Sequence, residues 1–77
     1  MDRTDRMINA LDRYENGELG LMATYAEIRE SEKELIEAAG DDKITKRIIR
    51  LMAKTSRLYI RQLRFNKMLK EIKESMI

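Results

Sequence analysis

The chain has 77 residues, 39% of them charged and 43% hydrophobic, with a formal net charge of +2 and no cysteine, histidine, proline or tryptophan. That composition excludes disulfides, thiolate or imidazole metal sites and the usual histidine-based or cysteine-based nucleophiles. With no phosphate-cradling glycine loop or calcium-loop spacing either, it reads as a non-enzyme without metal or cofactor, one small domain over residues 1–77.

The helix-favouring bias toward Leu, Ile, Met, Ala, Glu, Lys and Arg predicts an all-α fold. Thr4 can cap a first helix that carries Met7, Ile8, Leu11 and Tyr14 on one face, and Asn16-Gly17 can end it. A second stretch puts Leu21, Tyr25, Ile28, Leu35 and Ala39 on one face, beside an acidic stripe of Glu27, Glu30, Glu34, Glu37 and Asp41. The pattern leaves open whether Gly17 to Gly20 break this arm or only kink it. Glycine costs about 1 kcal/mol against alanine inside a helix, which favours a break, and Thr24 with Glu27 fits a capping box for a later restart.

Gly40-Asp41-Asp42 is the clearest turn, because glycine suits the left-handed position after one helix and aspartate the cap of the next. The flanking arms, 4–39 and 42–76, are matched in length and would each reach roughly 54 Å as helix. An antiparallel helical hairpin follows.

The second arm reads as one long helix. Ile44, Leu51, Leu58, Phe65 and Ile72 repeat every seven residues as heptad d positions, interleaved with Ile48, Thr55, Gln62, Leu69 and Met76 at a. The polar Thr55 and Gln62 fit register devices in such a seam. Ile49, Met52, Tyr59, Ile60 and Leu63 widen the apolar surface beyond what one partner helix covers. The expectation is a homodimer, two hairpins forming a four-helix bundle, with Ile48, Met52, Tyr59 and Leu63 at the oligomer interface.

Charge is polarised along the chain: residues 1–42 hold 12 acids and 5 bases (−7), and residues 43–77 hold 11 bases and 2 acids (+9). Lys43, Arg47, Arg50, Lys54, Arg57, Arg61 and Arg64 step by four and three, so they form one helical stripe. In a hairpin turning at 40–42 the stripes would meet rung by rung: Asp41 with Lys43, Glu37 with Arg47, Glu34 with Arg50, Glu30 with Lys54 and Glu27 with Arg57. Beyond those rungs the acids run out, and Arg61, Arg64, Lys67 and Lys70 are left facing a glycine-rich stretch.

That unmatched basic segment is the leading functional feature. Arg57, Arg61, Arg64, Lys67 and Lys70 at helical spacing suit phosphate contacts, so the first expectation is a small regulatory protein that binds DNA or RNA. The alternative is a protein–protein interaction module, an adaptor, inhibitor or assembly subunit that uses the apolar face of the long helix. A basic amphipathic helix can also lie on an anionic membrane, but the lack of tryptophan and the internal acidic partner argue against it. With no signal-peptide-like or membrane-spanning apolar run, the expected compartment is the cytoplasm.

Overall fold

A computed structural model describes the backbone of residues 3–76 and the side chains of residues 5–76. Met1, Asp2 and Ile77 lie outside the described residues, as does the side chain of the expected cap Thr4. All regular structure in the described residues is helical: α1 spans Arg3–Glu15, α2 spans Leu21–Ala39 and α3 spans Lys43–Ser75. The first arm is therefore two helices, and three helices replace the simple hairpin.

The break between α1 and α2 is enforced by backbone chemistry. Gly17 adopts φ +74° just past the end of α1. Its N–H donates to the Tyr14 carbonyl at 3.1 Å and the Glu18 N–H to that of Arg13 at 2.8 Å, the paired bonds of a Schellman termination. The expected capping box at Thr24 and Glu27 does not form. α2 starts three residues before Thr24, after Gly20, and the buried Thr24 hydroxyl donates back to the Gly20 carbonyl at 2.7 Å.

The central turn falls where expected, though Gly40 is not in the left-handed helical conformation. Gly40 takes φ +61°, ψ −121°, a region open essentially to glycine. Asp42 caps α3 by accepting from the Ile44 and Thr45 N–H groups at 3.1 and 3.3 Å. The Thr45 hydroxyl and these N–H donors stabilise the carboxylate and hold its pKa below the usual aspartate range.

α1 folds back antiparallel to α2, and α3 returns along both. Arg6, near the start of α1, donates to Glu27 at 3.0 Å and to Glu34, in the last half of α2, at 3.1 Å. Tyr59 on α3 donates from its hydroxyl to Glu15 at the other end of α1. The molecule measures 56 × 21 × 15 Å, and α3, 33 residues long, supplies the long axis.

The core is narrow and mixes large and small side chains. Met7 and Ala10 of α1, Thr24, Ile28 and Ser31 of α2, and Ile49, Ala53 and Ile60 of α3 are buried. Ala53 and Ser31, both fully buried, let the helices approach closely. Leu11, Tyr14, Leu21, Tyr25 and Leu35 pack around them. Of the face expected for α1, Met7, Leu11 and Tyr14 turn inward, whereas Ile8 is 53% exposed.

Candidate functional site

α3 carries two apolar stripes, and the three-helix core takes the one that the heptad reading placed at the edge. Ile49, Ala53 and Ile60 are buried, with Met52, Ser56 and Leu63 half-buried beside them. In heptad terms these are b and f positions, with Met52 at e. The a/d stripe faces away. Ile44, Ile48, Leu51, Leu58, Phe65, Leu69, Ile72 and Met76, all of its apolar members, are 38–81% exposed. At 100° per residue the b/f and a/d stripes point about 150° apart, so one bundle cannot cover both.

The a/d stripe, read from sequence as the seam, is thus the exposed one. Met52 and Leu63, expected at an oligomer interface, are half-buried. Ile48 lies on the free face, 54% exposed, and Tyr59, 45% exposed, sits at its edge. Hydrogen bonding to Glu15 raises the Tyr59 hydroxyl above its usual pKa. The polar seam residues lie on the free face as well. The Thr55 hydroxyl donates to the Leu51 carbonyl at 2.8 Å, and the Gln62 amide donates to the Asn66 side-chain oxygen at 3.1 Å.

The charge stripes do not meet rung by rung. Arg57 bonds Glu32 at 3.2 Å, not Glu27, while Glu27 and Glu34 are taken by Arg6. These hydrogen bonds raise the Arg6 pKa further above its usual value, Glu27 first and then Glu34. Among the described residues Lys43, Arg47, Arg50 and Lys54 make no ion pair. The break at Gly17 lets α1 fold back on α2, which brings Arg6 to two members of the acidic stripe.

Of the residues expected to meet phosphates, Arg57 is half-buried in its pair with Glu32. Arg61 is exposed and donates to the Tyr25 hydroxyl at 3.2 Å. Arg64, Lys67 and Lys70 are exposed. Arg61 and Arg64 line a shallow apolar hollow of about 370 Å³ with Leu21, Tyr25, Phe65 and Met68. Phe65, read from sequence as part of the core repeat, is 49% exposed on the free face.

No family model matches this chain, and neither a curated protein nor a solved structure matches it. Its site must be read from its own geometry. Among the described residues no cluster of acids is placed to hold a metal ion, and no helix is long and apolar enough to cross a membrane. A cleft of about 610 Å³ opens between the α1–α2 loop and α3 and is lined by Tyr14, Glu15, Leu19, Leu63 and Lys67 among others. It is an open notch on the surface, with one carboxylate and one ammonium at its rim. The a/d face of α3 is a continuous apolar stripe that intramolecular packing leaves exposed.

Proposed function

We propose that this chain is a non-enzymatic interaction protein whose working surface is the a/d face of α3. One observation carries the reading: every apolar a/d residue from Ile44 to Met76 is exposed, while the core takes Ile49, Ala53 and Ile60 from the other side of the same helix. Single exposed apolar residues are ordinary, but a stripe along a 33-residue helix is the size and shape of a partner helix. A core so small supplies only a few kcal/mol, so covering this stripe also contributes to the stability of the fold.

The test pairs sedimentation with an apolar fluorescent dye on the wild type and on the double variant Leu51→Glu/Leu58→Glu. The wild type is expected either to associate or, when diluted to the monomer, to bind the dye. The variant should do neither and keep its helical circular dichroism. A wild-type monomer that leaves the dye unbound would overturn the reading, because the face would then be unavailable.

A second reading rests on a separate observation, the exposed cations Arg61, Arg64, Lys67 and Lys70 running along α3 with no ion pair among the described residues. They can dock on phosphates of DNA or RNA, with an affinity that falls steeply with salt. Replacing Arg61 and Arg64 by glutamate would abolish such binding without altering helicity. The two readings are compatible, since the basic stripe runs beside the apolar one and not through it.

A further inference from the structure

Whether α3 meets itself or another protein is decided by what borders its free face. On one border, the heptad g positions, stand Arg47, Lys54 and Arg61, followed by Met68. On the other, the e positions, stand Thr45, Met52, Tyr59 and Asn66, followed by Lys73. The e border also carries an acid from another helix, because Glu15 of α1 accepts from the Tyr59 hydroxyl at 2.5 Å. Between residues 45 and 66 one edge of the stripe is therefore cationic and the other neutral to acidic.

We infer that the occupant of this face is a second copy of the same chain, packed parallel and in register as a two-stranded coiled coil. The inference rests on the a/d face being an interaction surface, and it adds the identity and direction of the partner. In a parallel pair each g residue meets the e residue five positions later on the other chain. That places Arg47 beside Met52, Lys54 beside Tyr59 with Glu15 behind it, and Arg61 beside Asn66, with no cation facing a cation. An antiparallel pair would instead align g with g and bring the Arg47, Lys54 and Arg61 borders together, a like-charge contact that disfavours it.

Three further observations fit the same partner. Over residues 48–58 the a positions hold the β-branched Ile48 and Thr55 and the d positions Leu51 and Leu58, the β-branched-at-a and leucine-at-d pattern that favours two strands. Gln62 lies at an a position, where a parallel pair sets two copies of its amide against each other across the axis, one donating and one accepting. Residues 64–76 are all exposed, so the last three turns of α3 are only thinly covered within the chain. A helical segment that short is marginal in water alone, and a second α3 alongside supplies the missing cover.

Because the chain has no cysteine, the test can use single introduced thiols. Sedimentation equilibrium of the full-length wild type is expected to give twice the monomer mass. Leu51→Cys and Leu69→Cys proteins, mixed and equilibrated in a glutathione redox buffer, are expected to give 51–51 and 69–69 disulfides. Predominant 51–69 disulfides would overturn the parallel arrangement, since residue 51 lies opposite residue 69 only when the helices run oppositely. A trimer or tetramer would overturn the two-stranded assembly. A wild-type monomer that still binds the apolar dye would overturn self-association while leaving the interaction face itself intact.

Discussion

Leu58 and Ile60 stand two positions apart on α3 and point to nearly opposite sides: Ile60 is fully buried against α1 and α2, while Leu58 is 53% exposed. The pair separates the two jobs of the helix. Ile60→Ala leaves a cavity in a core that has few other large side chains, and it is expected to cost about 2–5 kcal/mol. For a domain of this size that removes most of the stability at any protein concentration. Leu58→Ala is expected to change the stability of the monomer by no more than about 0.5 kcal/mol. Its effect should appear as a weaker dependence of Tm on protein concentration, because association stabilises by mass action. Thermal melts of both variants over a hundredfold concentration range check the contrast.

The Arg57–Glu32 pair reports the register of α3 against α2. Both side chains are partly shielded, 32% and 20% exposed, so a double-mutant cycle to alanine is expected to give a coupling of about 0.5–1 kcal/mol. The same cycle for Arg57 with Glu27, the pair expected of an uninterrupted hairpin, should give a coupling near zero. Equal coupling in both cycles would contradict the observed register. Chemical denaturation of the singles and doubles supplies the measurement.

The glycines that end helices differ in how they tolerate a side chain. At Gly17 and Gly40 an added methyl meets no neighbouring atom within 4 Å, but φ is +74° and +61°. Alanine there is expected to cost about 1–2 kcal/mol through backbone strain alone. Gly20 has φ −72° and equally open space, so Gly20→Ala is expected to be neutral or to stabilise by about 0.4–1 kcal/mol. Ranking the three melting temperatures tests this, and a Gly20→Ala loss as large as the other two would contradict the assigned helix start.

Acid should loosen the start of α3. The carboxylate of Asp42 is stabilised in the folded state by Thr45 and the N–H groups of the first turn, so its pKa lies lower there than in the unfolded chain. Its contribution is therefore complete above the unfolded aspartate pKa and is lost as pH falls through the lower, folded value. Asp42→Asn keeps an oxygen acceptor but does not titrate. The drop in Tm between about pH 5 and pH 2 is expected to be smaller in this variant than in the wild type. Identical acid profiles would show that the cap carries no pH dependence.

Much of the local structure was legible because it depends on near neighbours. Composition announced helix, Gly40 and Asp42 marked the central turn and the cap, and Gly17 supplied the positive φ that ends α1. The capping box at Thr24 was misplaced because Thr24 has a competing use, bonding the Gly20 carbonyl from inside the first turn. The unpaired basic segment beyond Arg57 was visible as charge spacing. The pairing of Arg57 with Glu32 was not, since it depends on a third helix that occupies Glu27 and Glu34.

By itself, then, the sequence determined three things: that the chain is helical, where its central turn falls, and that the long helix bears an apolar surface too broad for one seam beside a cationic stripe. It did not determine which part of that apolar surface faces inward, because periodicity carries no direction. Tertiary structure decided that. The smaller stripe, with Ala53 and Ser56 between Ile49 and Ile60, fits against the small buried residues Thr24 and Ser31 of α2. Close approach of backbones favours small side chains at the contact, so the stripe that carries Ala53 and Ser56 turns inward and the one that carries Leu51, Leu58 and Phe65 faces out.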